Sequence, residues 1–80
     1  MAALAREKER ADKARRYLKA ELKRADVTYA ELASRLREHG FEDETEGSVT
    51  AKLARGTFSV TFFLACLAVL GITALVLADL

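Results

Sequence analysis

Residues 27–72 read VTYAELASRLREHGFEDETEGSVTAKLARGTFSVTFFLACLAVLGI, and their caps and glycine stops predict three short helices in succession. Thr28 is a natural N-cap with Glu31 three residues on, the spacing of a capping box. A helix from Tyr29 to His39 then places Ala30, Leu32, Ala33 and Leu36 on one face, and Gly40 supplies a left-handed stop. Phe41 is expected to fold back onto the core. The acids Glu42, Asp43, Glu44 and Glu46 surround the turn into the next helix, which Thr45 or Ser48 caps. Val49 and Leu53 point inward at i, i+4, while Thr50, Lys52 and Arg55 point elsewhere, and Gly56 ends this helix. Ser59 caps a last helix, Val60 to Leu70, closed by Gly71. Its residues are apolar nearly all round, which predicts a central, buried helix.

Upstream, residues 3–25 contain no breaker, and Leu4, Ala11, Ala14, Leu18, Leu22 and Ala25 fall on one helical stripe. The stripe is weak before Ala14, so the first two turns are expected to fray or project. Downstream, Ile72 to Leu80 is rich in β-branched and aliphatic residues and reads as a strand or a further helix. As a strand it has no partner within the chain, so two copies would pair or swap their tails. The expected fold is therefore all-α: a bundle of four to five helices with a C-terminal strand used in dimerisation. Its parts are a basic helical extension over 1–17, the bundle over 18–71 and an apolar arm over 72–80.

Eighty residues bound the protein to one domain with a small core. The absence of proline and the abundance of Ala, Leu, Glu, Lys and Arg favour helices. Net charge is only +1, but residues 1–25 carry nine Lys or Arg against four acids. Any polyanion would meet a patch and not the whole surface. Cys66 is the single cysteine and reads as a buried small hydrophobe, consistent with a reducing, cytoplasmic setting. Val60 to Ala78 is nineteen residues without a charge, long enough for a tail anchor. Gly71 interrupts that run, and the earlier helices need its apolar surface to pack on, so membrane insertion is the third-ranked reading.

The strings VTYAELASRL and ETEGSVTAKLARGTFSVTFFLACLAVLGI resemble the lambda-repressor-like (Xre-type) helix-turn-helix domains. There a helix of form T-x-x-E-L-A-x-x-L precedes a recognition helix ending in R-G, and a further helix ends in L-G-[IV]. The matching positions are Thr28, Glu31, Leu32, Ala33 and Leu36, then Arg55 and Gly56, then Leu70, Gly71 and Ile72. More closely, residues 18–77 resemble a small family of bacterial proteins without an assigned function, sharing the flavour LK-x-EL-x-x-x-x-VTYAELA…TE…K-x-x-RG-x-FS…FF…CL…IG. Two departures stand out: the turn from Gly40 to Glu46 is long, and Tyr29 and Ala30 follow the capping Thr where a Gln is usual.

The resemblance implies a helix-turn-helix fold and DNA binding. Ser48, Thr50 and Ala51 would then face base edges, with Lys52 and Arg55 as phosphate clamps. Thr28 and Tyr29, at the first turn of the preceding helix, would hold another phosphate, and Lys19, Lys23 and Arg24 would extend the basic surface. The acidic turn argues the other way, because acids repel phosphates unless paired or turned aside. It supports a protein-interaction adaptor as the second reading. No glycine-rich phosphate loop, metal-ligand spacing or nucleophile–base pairing is visible, so no enzyme activity, cofactor, metal or small-molecule substrate is expected. His39, the only histidine, sits at a helix end. The leading expectation is a homodimeric transcriptional regulator that binds double-stranded DNA in a bacterial cytoplasm.

Overall fold

The computed structural model describes residues 2–76, with side chains from Glu7 onward. It is all-α: α1 spans Ala2–Ala25, α2 Tyr29–Glu38, α3 Glu46–Arg55 and α4 Val60–Val69. Each boundary has a local cause. The Thr28 hydroxyl accepts from the Glu31 amide, Thr45 from Ser48 and Ser59 from Phe62, so each of the last three helices has a side-chain N-cap. At the other ends, Val27 donates to the Leu22 carbonyl, Phe41 to Leu36 and Ile72 to Leu67, each across five residues. This is the Schellman closure, in which the residue past the turn is apolar and folds back on the helix it ends. Asp26 occupies the left-handed position after α1 at φ 57°, a role that a short polar side chain tolerates.

Leu18 and Leu22 of α1, Val27, Leu32, Ala33 and Leu36 of α2, Val49 and Leu53 of α3, and Phe62, Cys66 and Leu67 of α4 form the core. Phe41, Phe58, Phe63 and Ile72 pack against its margin. Ala25 and Ala30 are exposed, contrary to their place on the apolar stripes. A single methyl group gains little from burial, so the larger residues set how each helix is turned.

Two expectations about the C-terminal third are corrected. Residues 72–76 are irregular, with no strand among the described residues. In an all-helical chain this segment has no sheet edge to complete its backbone hydrogen bonds. Residues 77–80, the rest of the expected arm, lie outside the described part. The expectation of a wholly buried α4 also fails, because Val60, Thr61, Leu64 and Ala68 face solvent. The long uncharged run is not one helix either: α4 ends at Val69, and Gly71 turns the chain at φ 77°. No single helix among the described residues is long and apolar enough to cross a membrane.

Candidate nucleic-acid interface

α2 and α3 are joined by residues 39–45, and the structure divides the seven expected contact residues into two sets. The first is engaged inside the fold. Thr45 and Ser48 form a complete capping box: the Ser48 amide donates to Thr45 Oγ1 at 3.1 Å, and the Thr45 amide to Ser48 Oγ at 2.8 Å. The Ser48 hydroxyl then donates to Glu44 Oε1 at 2.6 Å. The other carboxylate oxygen, Oε2, accepts from the Lys52 ammonium. That ammonium sits 4.6 Å above the centre of the Phe62 ring, a cation–π contact. Lys52 and Ser48 are therefore both engaged within the fold.

Ser48 and Lys52 lie one turn apart on one edge of α3, and Glu44, from the turn before the cap, closes the network against them. Glu44 is buried among these partners. Burial alone would raise its carboxyl pKa, but hydrogen bonds from Lys52 and Ser48, with the lysine's charge, outweigh it and hold the group below its ordinary range. Arg37 adds a 2.8 Å hydrogen bond to the Glu44 carbonyl and so anchors the turn to α2. Of the four acids in and just after the turn, this one is paired inside the fold, and Glu42, Asp43 and Glu46 are exposed. Beneath the network, burial pushes the Cys66 thiol up to about 12, with a further contribution from the Glu44 charge and a smaller opposing one from Lys52. At neutral pH it is a packing thiol and not a thiolate nucleophile.

The second set is on the surface. Thr50, Ala51 and Arg55 are exposed on α3 beside Gly47 and Ala54, so the outer face of the helix is narrow until Arg55. The Thr50 hydroxyl donates to the Glu46 carbonyl one turn back, at 2.7 Å, which accounts for a threonine in mid-helix. Arg55 makes no ion pair with the turn acids. Thr28 spends its oxygen on the α2 cap, while Glu31 pairs with Arg35 at 2.9 Å instead of closing a capping box. Tyr29 is half-buried against the core. His39 caps the C-terminus of α2, its Nδ1 2.9 Å from the Arg35 carbonyl.

α1 supplies positive charge beside this surface. Gly56, in the left-handed conformation at φ 72°, is so close to α1 that a Cβ there would lie 3.2 Å from Arg15 Nε. The helical spacing of Lys8, Asp12, Arg15, Lys19 and Lys23 puts them on one stripe of α1. That stripe touches the end of α3 at Gly56, the residue after Arg55. Lys8, Lys19 and Lys23 are exposed along it, while Arg15 pairs with Asp12 at 3.2 Å. The opposite side of α1 lines an open cleft of about 820 Å³ with Lys13, Arg16 and Tyr17, closed by Ile72 and Ala74 of the irregular tail.

Sequence spacing missed three ties. Arg35 reaches the Val69 carbonyl at the end of α4 at 3.2 Å, Arg37 holds the turn, and Arg15 covers Gly56. Only the four-residue repeat of Glu44, Ser48 and Lys52 was a visible signal for the buried network.

The chain belongs to the DUF6471 family, described as a domain of unknown function, whose model matches residues 11–75. This is consistent with its resemblance to a small bacterial family without an assigned function. No curated protein and no solved structure matches it.

Proposed function

We propose that this protein is a DNA-binding transcriptional regulator of the Xre-type helix-turn-helix class, working as a homodimer in a bacterial cytoplasm. The observation that carries the reading is the contact of the Arg15 side chain of α1 with Gly56, the residue after Arg55. Lys8, Lys19 and Lys23 are exposed on the same stripe of α1 as Arg15, which supports a basic surface continuing toward the exposed Arg55. Phosphates are held by these residues, and the narrow face of α3, with Thr50 and Ala51, enters the major groove. Lys52 and Ser48 drop out of the contact set and act as internal supports for α3. Thr28 and Tyr29 contribute the first-turn amides of α2 as a phosphate seat and not free side chains.

The test is fluorescence anisotropy with mixed-sequence duplexes at about 50 and 200 mM salt. Binding at low salt is expected to weaken steeply as salt rises. Lys19→Ala and Arg55→Ala are each expected to lower the salt dependence by about one phosphate contact. Absence of binding to any duplex at low salt refutes the reading.

A protein-interaction adaptor is the second reading, favoured by the exposed Glu42, Asp43 and Glu46 on the approach to α3. Under it, no duplex binds, and changing those three acids to amides leaves the chain unable to retain a basic partner surface.

A further inference from the structure

We infer that the bare face of α4 is the docking surface for a second copy of this chain, the two α4 helices pairing antiparallel about a two-fold axis at Leu64. This rests on the homodimer part of the proposal above and is independent of its DNA part.

Val60 is 72% exposed and Leu64 56%, and Ala68 completes the stripe at i+8. A solvent-facing helix side normally carries charge. Here no Asp, Glu, Lys, Arg or His occurs from Gly56 to Ala78. The exposed sides of the other helices all carry charge: Lys13 and Arg16 on α1, Arg37 and Glu38 on α2, Glu46 and Arg55 on α3. Covering the α4 stripe with any of these would bury an unpaired charge. Covering it with another α4 buries none, so the surface complementary to α4 in charge is α4 itself.

The shapes agree with that symmetry. In a two-fold pairing, the same patch serves both copies. An antiparallel crossing centred on residue 64 sets Leu64 against Leu64, and Val60 of one copy against Ala68 of the other. A larger side chain thus meets a smaller one at each end.

Area fixes the strength. Ten residues make a helix about 15 Å long, which by itself covers less than the roughly 800 Å² per partner of a standard interface. The surface continues past Val60 into an apolar groove of about 300 Å³, lined by Ala11, Ala14, Phe58 and Phe63. Helix and groove together support a modest dimer, dissociating on the order of micromolar. The contact also replaces the tail-to-tail strand expected from the sequence, since residues 72–76 are irregular.

Sedimentation equilibrium of the full chain without DNA, over roughly 1–500 μM, tests the inference. Dimers are expected for the unmodified chain. Leu64→Glu and Leu64→Lys are each expected to raise the dissociation constant at least about tenfold, with unchanged helical circular dichroism. An equimolar mixture of the two variants is expected to recover dimers, because residue 64 faces itself. Should either variant unfold, Val60→Glu and Val60→Lys disrupt the same stripe, and mixing Val60→Lys with Ala68→Glu repeats the pairing test.

Monomers at every concentration overturn the inference together with the homodimer reading. Dimers that persist in Leu64→Glu overturn this surface and leave the homodimer reading standing. Monomeric variants that do not pair on mixing overturn the two-fold register. Duplex binding, measured separately on the monomeric variant, reports on the DNA reading alone.

Discussion

Two stripes in this small protein repeat every fourth residue and reverse the usual arrangement of polar and apolar surface. Beside α3, Glu44 of the preceding turn meets Ser48 and Lys52 and turns its carboxylate inward, and the Glu44 side chain is left 9% exposed. On α4, Val60, Leu64 and Ala68 turn outward. Each case has its own cause. The acid tolerates burial because Lys52 and Ser48 donate to its two carboxylate oxygens. The valine and leucine are bare because α4 is apolar on every side, and the other three helices cover only the side bearing Phe62, Cys66 and Leu67. Hydropathy alone sorts residues by type. Which side of a helix is covered depends on its neighbours.

The strongest test of that contrast lies within α4. Phe62 is buried under Lys52, and Leu64, two residues on, is exposed. Phe62→Ala is expected to cost about 3–5 kcal/mol, the usual range for emptying an aromatic core site. A chain of 80 residues has a total stability of only about 4–12 kcal/mol, so this variant is expected to be partly unfolded at room temperature. Leu64→Ala, measured by urea denaturation at a concentration where the chain is monomeric, is expected to change stability by no more than about 0.5 kcal/mol. Equal losses at the two positions would erase the distinction between the covered and bare sides of α4.

The buried pair is next in size. Lys52→Met leaves the Glu44 carboxylate enclosed without its cation. With Lys52 29% and Glu44 9% exposed, the pair falls between surface and buried ion pairs, and a loss of about 2 kcal/mol is expected. Glu44→Gln combined with Lys52→Met is expected to cost less than the two single changes added, because neither then strands a charge. Acid sharpens the same point. Burial works to raise the Glu44 pKa, but Lys52 and Ser48 prevail and lower it. The contribution of the ionised pair is therefore present above the unfolded-state value of about 4.3 and is lost as pH falls through the lower folded value. Urea midpoints at about pH 7 and pH 3 are expected to show a larger acid loss in the unmodified chain than in Lys52→Met. An equal loss would mean that the pair contributes nothing to stability.

Helix ends were readable from the sequence because their signals are local. Thr28, Thr45 and Ser59 cap the amides beside them, and Gly40, Gly56 and Gly71 take the left-handed turns. Leu18, Leu22, Leu32, Leu36, Val49 and Leu53 were readable as core because each lies on a stripe with a polar opposite side. α4 has no polar opposite side, so its spacing could not say that Val60 and Leu64 are bare. The tail carried strand-forming residues, but a strand needs an edge that residues 72–76 do not find. Among the site residues, Lys52 and Ser48 looked like surface contacts because their partner Glu44 lies in the preceding turn and the Phe62 ring arrives from another helix. Thr50, Ala51 and Arg55 stayed on the surface, as their place off the Val49–Leu53 stripe predicts.

Thr50 gives the smallest and most selective test, because it separates what the outer face of α3 does for the fold from what it does for a ligand. Its hydroxyl serves only the Glu46 carbonyl one turn back, a bond that competes with the helix's own ladder. Thr50→Ala improves helix propensity, so stability is expected to rise or hold within about 0.5 kcal/mol. In the proposed DNA complex the same hydroxyl faces the groove, and its removal is expected to weaken duplex binding by about 1 kcal/mol, roughly fivefold. On α3's inner edge the order is reversed: Ser48→Ala removes half of the capping box and one Glu44 hydrogen bond, so it costs stability and leaves no surface contact to lose. Anisotropy and urea denaturation on the two variants decide the matter. A Thr50→Ala protein that folds as well as the parent and binds duplex equally well would remove the outer face of α3 from the DNA contact.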